Sequence, residues 1–163
     1  MIEKHYWKIK QAALDIDLCV VSKHHSIEEI QSYYDAGERI FAENRATELI
    51  FKADTLPKDI AWHYIGHLQR NKVKEILPIV SCIQSLDNIA LAKVIEKEAT
   101  KLNRTVDVLI ELHLADEDTN KSGLDPADVD MFTNFLLQEC PHISIQGLMT
   151  MGPHTEDTAR IHE

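Results

Sequence analysis

No apolar run in this 163-residue chain approaches the length of a membrane span. The first ten residues, Met1 to Lys10, are polar and carry no signal-peptide pattern. Cationic excess is missing too: 17 Lys and Arg against 27 Asp and Glu give a formal net charge of −10. That balance argues against a broad surface for nucleic acid or anionic membrane. Cysteine is scarce. Cys19, Cys82 and Cys140 are far apart, odd in number and without paired spacing. A reduced, cytoplasmic setting is expected, with the thiols as small core residues. Finally, no glycine-rich turn follows the first apolar run, where a nucleotide-binding open sheet usually carries one.

What is present is an ordinary globular composition, 44% apolar and 27% charged. The length suits one domain with a real core. A short helix is predicted over Glu3 to Leu14, with Tyr6, Ile9 and Ala13 on its apolar face. Six apolar segments then alternate with helical ones. The predicted strands are Leu18 to Lys23, Arg39 to Asn44, Ala61 to Gly66, Ser81 to Leu86, Val106 to Leu114 and Ile143 to Met149. The helices between them run from Ser26 to Ala36, Ala46 to Leu56, Gln69 to Leu77, Ile89 to Leu102 and Asp125 to Glu139. Their ends carry physical signals. Ser26 with Glu29 makes a capping box, Gly37 suits a left-handed helix end, Pro57 and Pro78 stop helices, and Pro126 sits in a first turn. The longest connection is the polar loop Ala115 to Gly123.

Continuous apolar strands separated by helices indicate a parallel α/β sheet. Two architectures fit: an open doubly wound sheet, or a (β/α)8 TIM-like barrel with six of its eight strands. The absent glycine-rich turn favours the barrel. So does the recurrence of polar side chains at strand ends, namely Lys23, Asn44, His67, Asp87 and His113. The C-terminal rim of a barrel collects side chains in that way.

Lys23 is the first candidate for chemistry. A strand interior offers an ammonium group nothing, so Lys23 either reaches solvent or serves as a Schiff-base lysine, which needs a neutral amine. Glu43 and Asn44 face opposite ways by strand alternation, and Asn44 is the one expected to line the mouth unless it is a plain helix cap. His63 and His67 lack a third ligand at metal-site spacing, so His63 is expected as a packed interior residue. The run from Asp116 to Gly123 lacks the ligand spacing and terminal glutamate of a calcium loop. Lys121-Ser122-Gly123 is expected to fix a rim loop instead. Met149 and Met151 read as packing residues, with a thioether against a flat ligand as the alternative.

Together these segments resemble the YggS/PROSC-type pyridoxal-phosphate homeostasis proteins of the alanine-racemase N-terminal-domain superfamily. The matching runs are Val20-Val21-Ser22-Lys23, Ala36-Gly37, Phe41-Ala42-Glu43-Asn44, Trp62 to Lys72, Ser85-Leu86-Asp87, Lys121-Ser122-Gly123 and Gly147-Leu148-Met149-Thr150-Met151. They come in family order, and Trp62 to Lys72 is the most discriminating. The resemblance implies a TIM-barrel-like fold that holds pyridoxal 5'-phosphate (PLP) as an internal aldimine. By position Lys23 matches the Schiff-base lysine, Asn44 the asparagine beside the ring, and His63 and Met149 residues that line the pocket. It implies a carrier or regulator of vitamin B6 and amino-acid pools with no established turnover reaction.

Three departures accompany the resemblance. Ala42 replaces a glycine of the family run, and His113 replaces an asparagine. The family also continues beyond the length of this chain, through a Ser-x-Asp and an Arg-Ile-Gly segment that hold the phosphate. Residues 1–163 are therefore expected to form a single, C-terminally truncated barrel domain without the region of strands seven and eight, where barrel phosphate sites are commonly built. Self-association through the exposed sheet edges is expected, with no nucleic-acid or membrane partner. The alternatives are a PLP-dependent racemase-like enzyme, a cofactor-free Schiff-base lyase, or a fragment that no longer binds PLP.

Overall fold

The computed structural model describes residues 4–13, 16–114 and 122–152. The chain alternates helix and strand throughout. Its elements are α1 (Lys4–Ala12), β1 (Val20–Val21), α2 (Ile27–Asp35), β2 (Ile40–Glu43), α3 (Ala46–Thr55), β3 (Ala61–Tyr64), α4 (Val73–Ile76), β4 (Val80–Leu86), α5 (Ile89–Lys101), β5 (Val106–Leu112), α6 (Val129–Glu139) and β6 (Ile143–Thr150). The expectations for residues 115–121, Lys121 among them, and for Glu3 and Leu14 at the ends of the first helix lie outside the described residues.

All six strands are parallel and lie side by side in chain order, β1-β2-β3-β4-β5-β6. That order decides between the two architectures. A doubly wound sheet reverses its strand order at a switch point, and this sheet never reverses. Right-handed crossovers that always step the same way place the crossover helices α2 to α6 on one face, which is the barrel arrangement.

The two faces differ accordingly. One carries the apolar core: Phe41, Trp62, Tyr64, Val80, Ile83, Leu86, Val106, Val108 and Ile110 pack in one cluster with Ile30, Leu49, Ile76, Leu91, Ile95, Phe132 and Leu136 of the helices. The opposite face carries the register row Val21, Ala42, His63, Cys82, Asp107 and Ser144, one residue from each strand. None of those six belongs to the core cluster.

Local signals hold in detail. Ser26 and Glu29 form the expected capping box at the start of α2. Gly37, at φ 103°, follows α2 in the left-handed region. Asn88 caps α5 by accepting from the Leu91 amide at 2.8 Å. Elsewhere several elements are shorter than the sequence suggests, while β4 and β6 each gain one residue. β1 keeps only Val20 and Val21, because an edge strand has one neighbour to pair with. Ser22 still donates its amide to Ala42 O at 2.9 Å, then the chain turns at His24, φ 66°. The segments expected to open as helices at Gln69 and Pro126 begin as single 3₁₀ turns, Arg70–Lys72 and Pro126–Asp128.

Candidate functional site

Parallel strands send all their C-terminal ends to one edge of the sheet. Lys23 lies two residues beyond β1 and Asn44 one residue beyond β2, and because Val21 pairs with Ala42 the two stand at the same distance past a shared register position. His63 is in the second half of β3, and Met149 is the next-to-last residue of β6. The four candidates thus lie toward or just past the C-terminal ends of their strands, though not in one cross-strand row: His63 pairs with Ala42 and Cys82, Met149 with Glu111.

Lys23 is exposed, and no hydrogen bond or ion pair involves its ammonium among the described residues. Its neighbour Ser22 is buried, so the strand end is anchored while the amine is free to reach outward. Alternation works as expected at the end of β2. Glu43 is fully buried and takes Lys52 Nζ of α3 at 2.6 Å and Ser22 Oγ at 2.7 Å. Asn44 is half-buried, and its Oδ1 is sealed from solvent without a donor among the described residues. Asn44 makes no side-chain cap on α3, whose N-cap is Arg45, so the plain-cap alternative does not hold. Its carbonyl accepts from the Tyr64 hydroxyl at 3.2 Å. A Cβ at Gly66 would stand 2.3 Å from that carbonyl oxygen and 2.8 Å from Asn44 Cα, so only glycine admits this approach.

His63 is half-buried. Gln84 Nε2 donates to its Nδ1 at 2.7 Å, so the neutral ring carries its proton on Nε2 and keeps a donor for a ligand. Burial lowers the His63 pKa, and the Asp107 carboxylate pulls the other way without reversing it. Asp107 itself accepts from Gln146 at 2.8 Å. Among the described residues no group of three metal-ligating side chains forms. Burial pushes the Cys19 thiol up to about 11, and burial, Asp107 and Cys19 push Cys82 up to about 12. Both stay protonated at neutral pH and behave as small packing residues.

Met149 is half-buried opposite Glu111. The Glu111 carboxyl is raised first by burial and then by Asp87, against the Ser122 hydroxyl that donates to it at 3.1 Å and the charge of His67. Gly123, at φ 104°, lies so close to β5 that a Cβ would meet His113 N at 2.6 Å. Ser122 and Gly123 are therefore held against the end of β5, the rest of the expected rim loop lying outside the described residues.

The sequence gives no warning of Lys52. With Glu48 four residues before it, it reads as a solvated helix pair. In the fold it is 5% exposed and bridges Glu43, Glu48 and the Ser22 carbonyl. Gln84 was likewise missed, since a glutamine in a strand carries no distinguishing spacing.

A family model described as alanine racemase, N-terminal domain, matches residues 1–163. A pyridoxal phosphate homeostasis protein of Aquifex aeolicus is 40% identical over 131 residues, covering 80% of this chain. The chain spans 57% of that relative's length. PipY of Synechococcus elongatus, solved without PLP, superposes with a TM-score of 0.88 at 33% identity, over 98% of this chain and 74% of its own. Its PLP-bound form gives 0.80 at 31%, over 94% and 73%. Alanine racemase of Clostridium difficile shares the fold alone, with a TM-score of 0.74 at 15% identity over 98% of this chain and 44% of the racemase. No described helix is long and apolar enough to cross a membrane. On the full-length family match and these two relatives above 30% identity, the chain belongs to the alanine racemase N-terminal domain family.

Proposed function

We propose that this chain binds pyridoxal 5'-phosphate through Lys23 and serves PLP and amino-acid homeostasis in the cytoplasm without a turnover reaction of its own. The observation that carries this reading is the presence, at adjacent strand ends, of an exposed Lys23 amine and a buried Asn44 Oδ1, both without a partner among the described residues. The donor set suits the cofactor. When bound, PLP supplies an aldehyde that condenses with a primary amine. Lys23 offers that amine, Asn44 an amide for the polar ring substituents, His63 an Nε2–H donor, and Met149 a polarisable thioether for the ring. The names of the Aquifex relative and of the PLP-bound PipY structure support the same reading. The free, protonated thiols support the cytoplasmic setting.

Incubation with PLP followed by borohydride reduction tests it. A mass addition mapped to Lys23, and lost in Lys23→Ala, is expected; equal labelling in Lys23→Ala would overturn the assignment. The edges at β1 and β6 further support self-association of the chain. Light scattering is expected to give a mass above the monomer's 18.6 kDa, and a stable monomer would remove that proposal.

A further inference from the structure

We propose that Glu43, Glu48 and Lys52 form a positioning device that holds the backbone on both sides of Lys23. The inference rests on Lys23 as the cofactor lysine and adds the residues that decide where its amine stands.

β1 contributes two paired residues at the sheet edge, so the ladder gives its C-terminal turn little support. The turn also contains His24 in the left-handed region, which a non-glycine residue adopts at a cost. Something outside the strand must hold it. Lys52 Nζ donates to the Ser22 carbonyl at 2.8 Å, and Ser22 Oγ donates to Glu43 Oε1 at 2.7 Å. On the other side of Lys23, the His24 amide donates to Glu48 Oε2 at 3.3 Å. Lys52 ties the two carboxylates together, 2.6 Å from Glu43 and 3.4 Å from Glu48. Ser22, before Lys23, is thus held by Lys52 and Glu43, and His24, after it, by Glu48, with Lys52 linking the two carboxylates; the Lys23 side chain is left unengaged among the described residues.

Stability alone does not explain such a cluster. Apolar side chains of similar volume commonly pack as well as a buried ion pair, or better. They could not donate to the Ser22 carbonyl or accept from the His24 amide. The chemistry of the cluster fits the turn, not merely the cavity.

The test uses the whole chain as wild type, Glu48→Ala, Glu48→Gln and Lys52→Met. Two readouts are taken beside circular dichroism: PLP trapped at Lys23 by borohydride, and the rate of Lys23 acetylation relative to the other lysines without cofactor. Folded Glu48→Ala is expected to lose trapping several-fold and to change Lys23 acetylation. Glu48→Gln, whose amide oxygen still accepts from His24, is expected to recover both. Lys52→Met is expected to show the larger loss. Wild-type values in folded Glu48→Ala, or no recovery in Glu48→Gln, would overturn the proposal. If Lys52→Met does not fold, the partly exposed Glu48 variants decide alone. Absence of trapping in the wild type would strike the cofactor reading, and the acetylation comparison would still decide the positioning role.

Discussion

Burial keeps the His63 imidazole neutral where an unfolded chain would take up a proton. The sign follows directly. Below the ordinary value of 6.5 the unfolded chain binds more protons than the folded one, so stability falls as the pH drops from there toward the lowered folded value. Urea midpoints are expected to decrease across that window, and His63→Gln is expected to flatten the decrease. A decrease equally steep in the variant would mean that His63 is not its source. Glu111 acts with the opposite sign, because its raised carboxyl favours the folded state below 4.5 and loses that contribution as the pH rises through its folded value. At this scale the sequence was readable where strand alternation alone decides direction, as for Glu43, which turns to Lys52 of the helix layer. It was unreadable for Lys52, because burial of a helix residue depends on which strand end that helix covers.

Among the elements, α2 shows the closest agreement between sequence and structure. The Ser26 hydroxyl accepts from the Glu29 amide at 3.3 Å, and the Glu29 carboxylate accepts from the Ser26 amide at 2.8 Å. Ser26→Ala is expected to cost about 1 kcal/mol, the usual value of an N-cap, read from urea denaturation. No measurable loss would show that tertiary packing of Ile30 alone holds the helix end. Strand lengths were less legible. β1 and β3 end before Lys23 and Gly66, because pairing requires a partner at each position as well as an apolar side chain. The start at Gln69, which makes no side-chain cap, opens as a 3₁₀ turn before the α-helix begins.

For the whole molecule, the repeating pattern of strand and helix announced a parallel sheet, and strand order completed the answer. The mixed polarity of Ala42, His63, Cys82, Asp107 and Ser144 also fits a face that no helix covers, since a sheet buried on both sides is apolar on both. Contacts between distant segments, which set that order, leave no local mark in the chain.

The short edge strand β1 has one more consequence. Two Cα pairings are a weak guard against slippage, and a slip of one residue would turn every side chain of the strand to the other face. Such a slip would also carry Ser22 away from Glu43 and from the Lys52 ammonium, leaving buried charge without its partners. The ion cluster therefore acts as a register lock. It penalises a slip that would break the common register offset of Lys23 and Asn44.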